Sequence, residues 1–190
     1  MDFTFSKEQQ DIRKAAREFA KGEFPDAALD FDRDETFDLK IWKKACDLGF
    51  VGVFIEEKYE GAAYGFLEHC IVAEEFSAVE PGLGQAVLST TLGSEVLSLF
   101  GTEEQKQLIL PQLILGKTIL GAAIAEPEGD WDVTRARTQA VKDGENWVVN
   151  GSKMFVPNGT LADYMLVYCQ TDPQACLLYT SPSPRDNDWY

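Results

Sequence analysis

Two stretches of this chain could do chemistry together. Ala123-Ile-Ala-Glu-Pro-Glu-Gly-Asp-Trp-Asp-Val133 and Asn150-Gly-Ser-Lys-Met-Phe-Val-Pro-Asn-Gly159 read as extended segments punctuated by turn residues, and two such segments at this distance can form one wall of a cofactor pocket. Such a wall supplies backbone N–H groups and flat side chains that orient a bound ring. Other candidates are weaker. Gly82-Leu-Gly84 suggests a glycine-rich dinucleotide loop, but Val87 stands where the third glycine belongs and no strand leads into it. His69, on an acidic helix near Glu68 and Glu74, reads as a surface or interface residue rather than a ligand. Glu56-Glu57, Glu74-Glu75 and Glu103-Glu104 read as solvated faces or helix N-terminal charges, so no catalytic residue is assigned within the chain. Cys46, Cys70, Cys169 and Cys176 show no C-x-x-C spacing and no second histidine accompanies His69, which signals neither zinc nor a disulfide framework.

The elements that must position the wall are legible from period and punctuation. Ser6 with Gln9 forms a capping box, and Ile12, Ala15, Ala16 and Phe19 recur at helical spacing up to Gly22. Asp38 can cap a second helix with Ile41, Trp42, Ala45 and Leu48 on one side and Gly49 at its end. Phe50 to Ile55 is a buried connector, and Glu56 to Ala63 a loop around Gly61. A third helix covers Tyr64 to Val79 before Pro81, and a fourth runs from Gln85 to Phe100, weakened by Thr90, Thr91 and Gly93. A fifth starts at the Thr102/Gln105 capping box, presents Leu108, Ile109, Leu113 and Ile114, should break or kink at Pro111, and ends at Gly116. Beyond Lys117 the period becomes extended through Ile119–Ala125, Thr138–Val141, Trp147–Asn150, Lys153–Val156 and Tyr164–Cys169, with turns at Asp143-Gly144, Asn150-Gly151 and Asn158-Gly159. The fold class expected is α+β and multidomain: an N-terminal all-α helical bundle over residues 1–117, then an incomplete antiparallel β-barrel or sandwich over 118–175.

At 190 residues with 45% hydrophobic content the chain can bury one large or two small cores. A formal charge of -15 argues against nucleic acid and against anionic membranes as partners, since both need surplus Lys and Arg. The N-terminus Met1-Asp-Phe-Thr-Phe-Ser-Lys lacks a basic region followed by an apolar one, and no apolar run approaches a membrane span, so a cytoplasmic location is expected.

The first stretch resembles the Ala-Leu-Thr-Glu-Pro-x-x-Gly-Ser-Asp signature of the acyl-CoA dehydrogenase family, and the second that family's Asn-Gly-x-Lys-x-Trp-Ile-Thr-Asn-Gly. Cys46-Asp-Leu-Gly-Phe-Val-Gly through Gly61, Ala73-Glu-Glu-Phe76, and Phe100-Gly-Thr-Glu-Glu-Gln-Lys106 with Leu110-Pro-Gln-Leu113 look like its N-terminal helical domain, in order and spacing. The resemblance implies α,β-dehydrogenation of an acyl-CoA thioester to the 2-enoyl-CoA, with FAD as cofactor, electron-transfer flavoprotein or a similar acceptor as partner, and a homo- or hetero-oligomer as the full-length parent. It also implies that Ala122, Ala123, Ile124, Ala125, Phe155, Val156 and Pro157 line the flavin ring, and that Asp130 and Trp131 face substrate or pyrophosphate. The family's base lies in a C-terminal helical domain, so this chain is expected to be an N-terminal fragment that does not turn over alone.

Departures from the pattern sharpen the expectations. Ala122 stands for an aromatic residue, Ala125 for Thr, Asp130-Trp131 for Gly-Ser, Phe155 for Trp and Pro157 for Thr. Phe155 can still cover a ring face, whereas Pro157 has neither hydroxyl nor N–H to donate, and Trp131 fills volume while offering one donor. These departures motivate a second reading, a non-catalytic or flavin-poor partner subunit of a heteromeric complex. Residues 176–190, Cys176-Leu-Leu-Tyr-Thr-Ser-Pro-Ser-Pro-Arg-Asp-Asn-Asp-Trp-Tyr190, resemble read-through of a sequencing adapter and are set apart from the fold.

Overall fold

The computed structural model describes residues 4–37, 39–129 and 131–172. Asp38, Asp130 and the segment from Pro173 onward, and with them the expected Asp38 cap, the Asp130 substrate contact and the 176–190 tail, lie outside the described residues. A helical bundle is followed by a small, unclosed antiparallel β region, as the fold class requires. Two compact units result: the first runs to Gly121 and takes back Asn158–Met165, and the second holds Ala122–Pro157 and continues from Leu166.

In the first unit, α1 (Lys7–Asp34) starts at the expected box, Ser6 Oγ accepting from Gln9 N while Gln9 Oε1 accepts from Ser6 N. It does not stop at Gly22. It continues through Pro25 to Asp34, because Phe24 and the partly buried Ala27, Ala28 and Phe31 extend the apolar stripe of Ile12, Ala16 and Phe19 and outweigh the hydrogen bond Pro25 cannot donate. α2 (Leu39–Asp47) buries Ile41, Trp42, Ala45 and Cys46, whereas Leu48 is 62% exposed. Gly49 N donates to Cys46 O and Phe50 N to Ala45 O, the paired bonds of a Schellman stop.

Phe19, Phe24, Phe50 and Phe76 then form one aromatic knot, with ring centroids 5.2–5.8 Å apart. α3 (Phe66–Val79) packs along α1. Its Glu75, read as a solvated charge, is instead buried and bound by Arg13 and Arg17 of α1. His69 is half-buried, edge-on to Phe54 at 5.3 Å, and burial lowers its imidazole pKa.

The expected fourth helix is broken into α4 (Pro81–Leu88), a 3-10 turn at Ser89–Thr91 and α5 (Ser94–Phe100). The buried hydroxyls of Thr90 and Thr91 bond back to Val87 O and Leu88 O, and Gly93 turns left-handed at φ 98°, so the α ladder cannot continue. α6 (Glu103–Ile114) starts at its capping box and passes through Pro111 without ending. Leu110 and Leu113 are fully buried on either side of that proline, while Leu108 faces out.

Among the described residues the strands are β1 (Leu120–Ala123), β2 (Gln139–Asp143), β3 (Asn146–Asn150) and β4 (Tyr164–Val167). β2 and β3 form an antiparallel hairpin in which Val141 faces Val148 and Asp143 faces Asn146, so the loop is Gly144-Glu145, one residue later than the sequence turn. β1 pairs with β4. Lys153–Val156 is not a strand, because Phe155 sits at φ 50°, outside extended geometry. Asn158 does not close a hairpin either; its side-chain amide donates to Ser89 O and Leu120 O within the first unit.

Candidate functional site

β1 carries the sequence Leu-Gly-Ala-Ala and is buried at every position, with Ala122 and Ala123 only 4% and 5% exposed. Ile124 follows, half-buried, and Ala125 is 1% exposed. Hydrogen bonds fix this segment on both sides within the second unit: Tyr168 N donates to Ala123 O at 3.0 Å, and Met154 N donates to Ala125 O at 2.9 Å. The second bond brings the two predicted stretches together, since Met154 is followed directly by Phe155, Val156 and Pro157.

Phe155 is the outlier. Its ring is 74% exposed although the residue is large and apolar, and its left-handed backbone, at φ 50°, is a conformation a bulky residue rarely adopts. The local structure holds this aromatic out toward solvent at the cost of strain, and such strain concentrates where a ligand is clamped. Val156 and Pro157 are half-buried. Trp131 stands 53% exposed on the turn that leads into a 3-10 segment, Val133–Arg135, capped by Asp132 through Thr134 N.

The residues that hold the wall in place carry the charge, and sequence reasoning gave them no role. Glu126 is 4% exposed and Lys153 has a side chain 9% exposed. Lys153 Nζ donates to Glu126 Oε1 at 2.8 Å and to Ile124 O at 2.9 Å, while the two carboxylate oxygens accept Arg137 N at 2.6 Å and Thr138 N at 2.9 Å. Burial alone would raise the carboxyl pKa, but Lys153 and these N–H groups outweigh it and pull Glu126 down to about 2. Three chain segments thus meet on one carboxylate. A cavity of about 200 Å3 opens beside it, between Glu126, Glu128, Arg137, Thr138 and Gly151. The available signal is a Glu and a Lys inside the two extended stretches read as one wall of a pocket, where a buried charge demands a partner.

Chemically, the assembly offers a closely packed small-residue segment, an exposed aromatic residue on the stretch bonded to it and a backbone pinned by hydrogen bonds. That fits a planar heteroaromatic group better than a reaction needing proton transfer, since the Glu126 carboxylate is already engaged by three donors. Pro157 adds no donor to the wall.

Comparison with known proteins identifies both parts of the chain. Residues 6–117 match the description "Acyl-CoA dehydrogenase, N-terminal domain" and residues 121–183 "Acyl-CoA dehydrogenase, middle domain". A short-chain specific acyl-CoA dehydrogenase of Clostridium acetobutylicum is 36% identical over 174 residues, covering 90% of this chain and 46% of that protein. Among solved structures, one described as an electron transferring flavoprotein of Acidaminococcus fermentans aligns with a TM-score of 0.83 at 33% identity, covering 90% of this chain and 46% of that one. A glutaryl-CoA dehydrogenase from Mycobacterium smegmatis in complex with FADH2 aligns with a TM-score of 0.80 at 28% identity, covering 88% and 44%. The chain spans about half the length of the relatives it matches. By the match of both domains in sequence order, the chain belongs to the acyl-CoA dehydrogenase family.

Proposed function

We propose that the whole protein carrying this chain is an FAD-dependent acyl-CoA dehydrogenase, and that this chain provides its helical domain (residues 1–117) and the ring-bearing wall of its β-domain (118–175). The observation that carries the reading is the Ala122–Ala125 wall locked beside an exposed Phe155. A flat, small-residue strip with an aromatic held outward suits an isoalloxazine ring, which when bound would take up the hydride from the β-carbon of an acyl thioester. This chain's residues bind and orient. Ala122, Ala123, Ile124 and Ala125 would back the bound ring, Phe155 would cover it and shield it from water, and Val156 and Pro157 would complete the edge. Trp131, large and accessible, narrows the choice of acyl-CoA. Abstraction of the α-proton falls to a base that none of the described residues supplies. The electrons would be destined for a flavoprotein acceptor, and the location proposed is the cytoplasm; among the described residues no helix is long and apolar enough to cross a membrane.

The test is direct. Whole protein, purified, should carry yellow bound FAD that bleaches anaerobically on addition of an acyl-CoA, and residues 1–175 alone should not turn over. Whole protein that binds no FAD would remove the enzyme reading and leave the partner-subunit one, which Pro157 favours because it withdraws a donor from the wall.

A further inference from the structure

We infer that Lys153 is a positioning residue for the cofactor wall: by holding the Ile124 carbonyl and the Glu126 carboxylate with one ammonium, it aims the Ala125 N–H as a donor toward the bound ring.

The inference rests on the flavin reading of the wall and deepens it. Lys153 Nζ lies 2.9 Å from Ile124 O and 2.8 Å from Glu126 Oε1, with its side chain 9% exposed. A peptide unit is planar and trans, so its carbonyl and the following N–H point in opposite directions. Fixing Ile124 O on Lys153 therefore turns the Ala125 N–H away from the ammonium. Met154 N, the next residue after Lys153, pins Ala125 O at 2.9 Å, so the peptide units on both sides of Ala125 are held. Glu126 is held in turn by Arg137 N and Thr138 N, which keeps the acceptor from following the lysine if the segment drifts. Lys153 touches only protein groups here. Its effect reaches the ring through Ala125, the position that lacks the side-chain hydroxyl other members of the family place there, so the backbone donor carries the whole burden of orientation.

The experiment uses the whole protein and three variants. Lys153→Met keeps the stem and removes the ammonium; Glu126→Gln removes the charge, keeps one acceptor oxygen for the two backbone N–H groups and leaves Lys153 on Ile124 O. Lys153→Arg keeps the ion pair but commits a planar fork to the carboxylate. Each is measured for thermal stability, FAD affinity, the visible absorption of FAD bound at saturation, and amide exchange at Ala125 without FAD. Lys153→Met is expected to weaken FAD binding by about ten-fold or more, by analogy with outer partners that orient ligands elsewhere. It should also shift the saturated flavin bands and speed exchange at Ala125. Glu126→Gln should lower stability with little change in the bands. Lys153→Arg should stay near wild-type stability with shifted bands, which keeps the inference testable if Lys153→Met does not fold. Wild-type bands and affinity in both lysine variants would overturn the inference, leaving Lys153 a structural ion pair. If the wild-type protein binds no FAD, the flavin reading fails separately, and unchanged Ala125 exchange in the variants would still overturn the positioning role.

Discussion

Glu75→Gln tests whether the helical unit is fastened by charge as well as by apolar packing. The Glu75 carboxylate is 1% exposed and receives Arg13 Nε at 2.6 Å, Arg17 Nε at 2.5 Å and Arg17 Nη2 at 2.8 Å, tying α1 to α3. Glutamine keeps the volume and one acceptor oxygen but turns an NH2 toward guanidinium donors. Removing one partner of a buried ion pair costs about 3–5 kcal/mol. Here the arginine side chains are 40% and 48% exposed and can rehydrate, which brings the expected loss to about 2 kcal/mol. For a chain of this length that is a fall in Tm of about 4–8 °C, read by circular dichroism at neutral pH. The pH dependence gives an independent check. Burial acts to raise the Glu75 carboxyl pKa, but the hydrogen bonds and charges of Arg17 and Arg13 outweigh it, so the folded value lies below the ordinary 4.5. Its stabilisation is complete above pH 4.5 and is lost as pH falls toward the folded value; Glu75→Gln should flatten that part of the slope. A Tm change under about 1 °C with an unaltered slope would refute the reasoning and make the arginines ordinary surface charges.

Glu126, held at about 2 against an ordinary 4.5, should stabilise the β unit fully above pH 4.5 and lose that contribution toward pH 2. That contribution, about 3 kcal/mol at most, falls to about 1–2 kcal/mol because the adjoining cavity admits solvent; urea midpoints between pH 5 and 3, compared with Glu126→Gln, measure it, and parallel curves would contradict it. Gly61→Ala should destabilise by about 1–3 kcal/mol, since a Cβ there would lie 2.0 Å from Ile55 O, to which Ala63 N also donates; an unchanged urea midpoint would show that the loop yields freely. Trp131→Ser in the whole protein should reorder acyl-CoA preference more than it changes Tm, and the reverse outcome would assign the indole to the fold.

What the sequence discloses depends on how local the cause is. The boxes at Ser6/Gln9 and Thr102/Gln105 are readable because cap and partner lie three residues apart, and the Gly49 stop because a Schellman turn closes within six. Pro111, expected to break or kink its helix, misleads for the opposite reason. It forfeits one local bond, while the burial that keeps α6 going, through Leu110 and Leu113, comes from partners distant in sequence; α1 runs past Gly22 for the same reason, through Phe24. The break at Thr90 and Thr91 shows in the sequence only as weak propensity; Thr90 Oγ1 also accepts from Trp42 Nε1, a contact made across 48 residues.

The candidate site divides along the same line. The residues proposed to line it, Ala122 to Ala125 and Phe155 to Pro157, could be named because a family-like motif spells them consecutively, and the Met154–Ala125 bond does bring the two stretches together. Its supports could not, because Lys153 is spaced from Ile124 by 29 residues and Thr138 from Glu126 by 12, and no helical or strand period links them. Glu75 repeats the lesson 58 residues from Arg17. In each case the overlooked residue is a charge within a stretch assigned to surface or wall, and in each the fold supplies several donors to one carboxylate. A buried carboxylate without such donors would cost several kcal/mol and shift toward its neutral form. An acidic residue flanked by apolar or motif-bound neighbours is therefore better read as one end of a distant contact than as a solvated face, and in this chain that rule finds both Glu75 and Glu126.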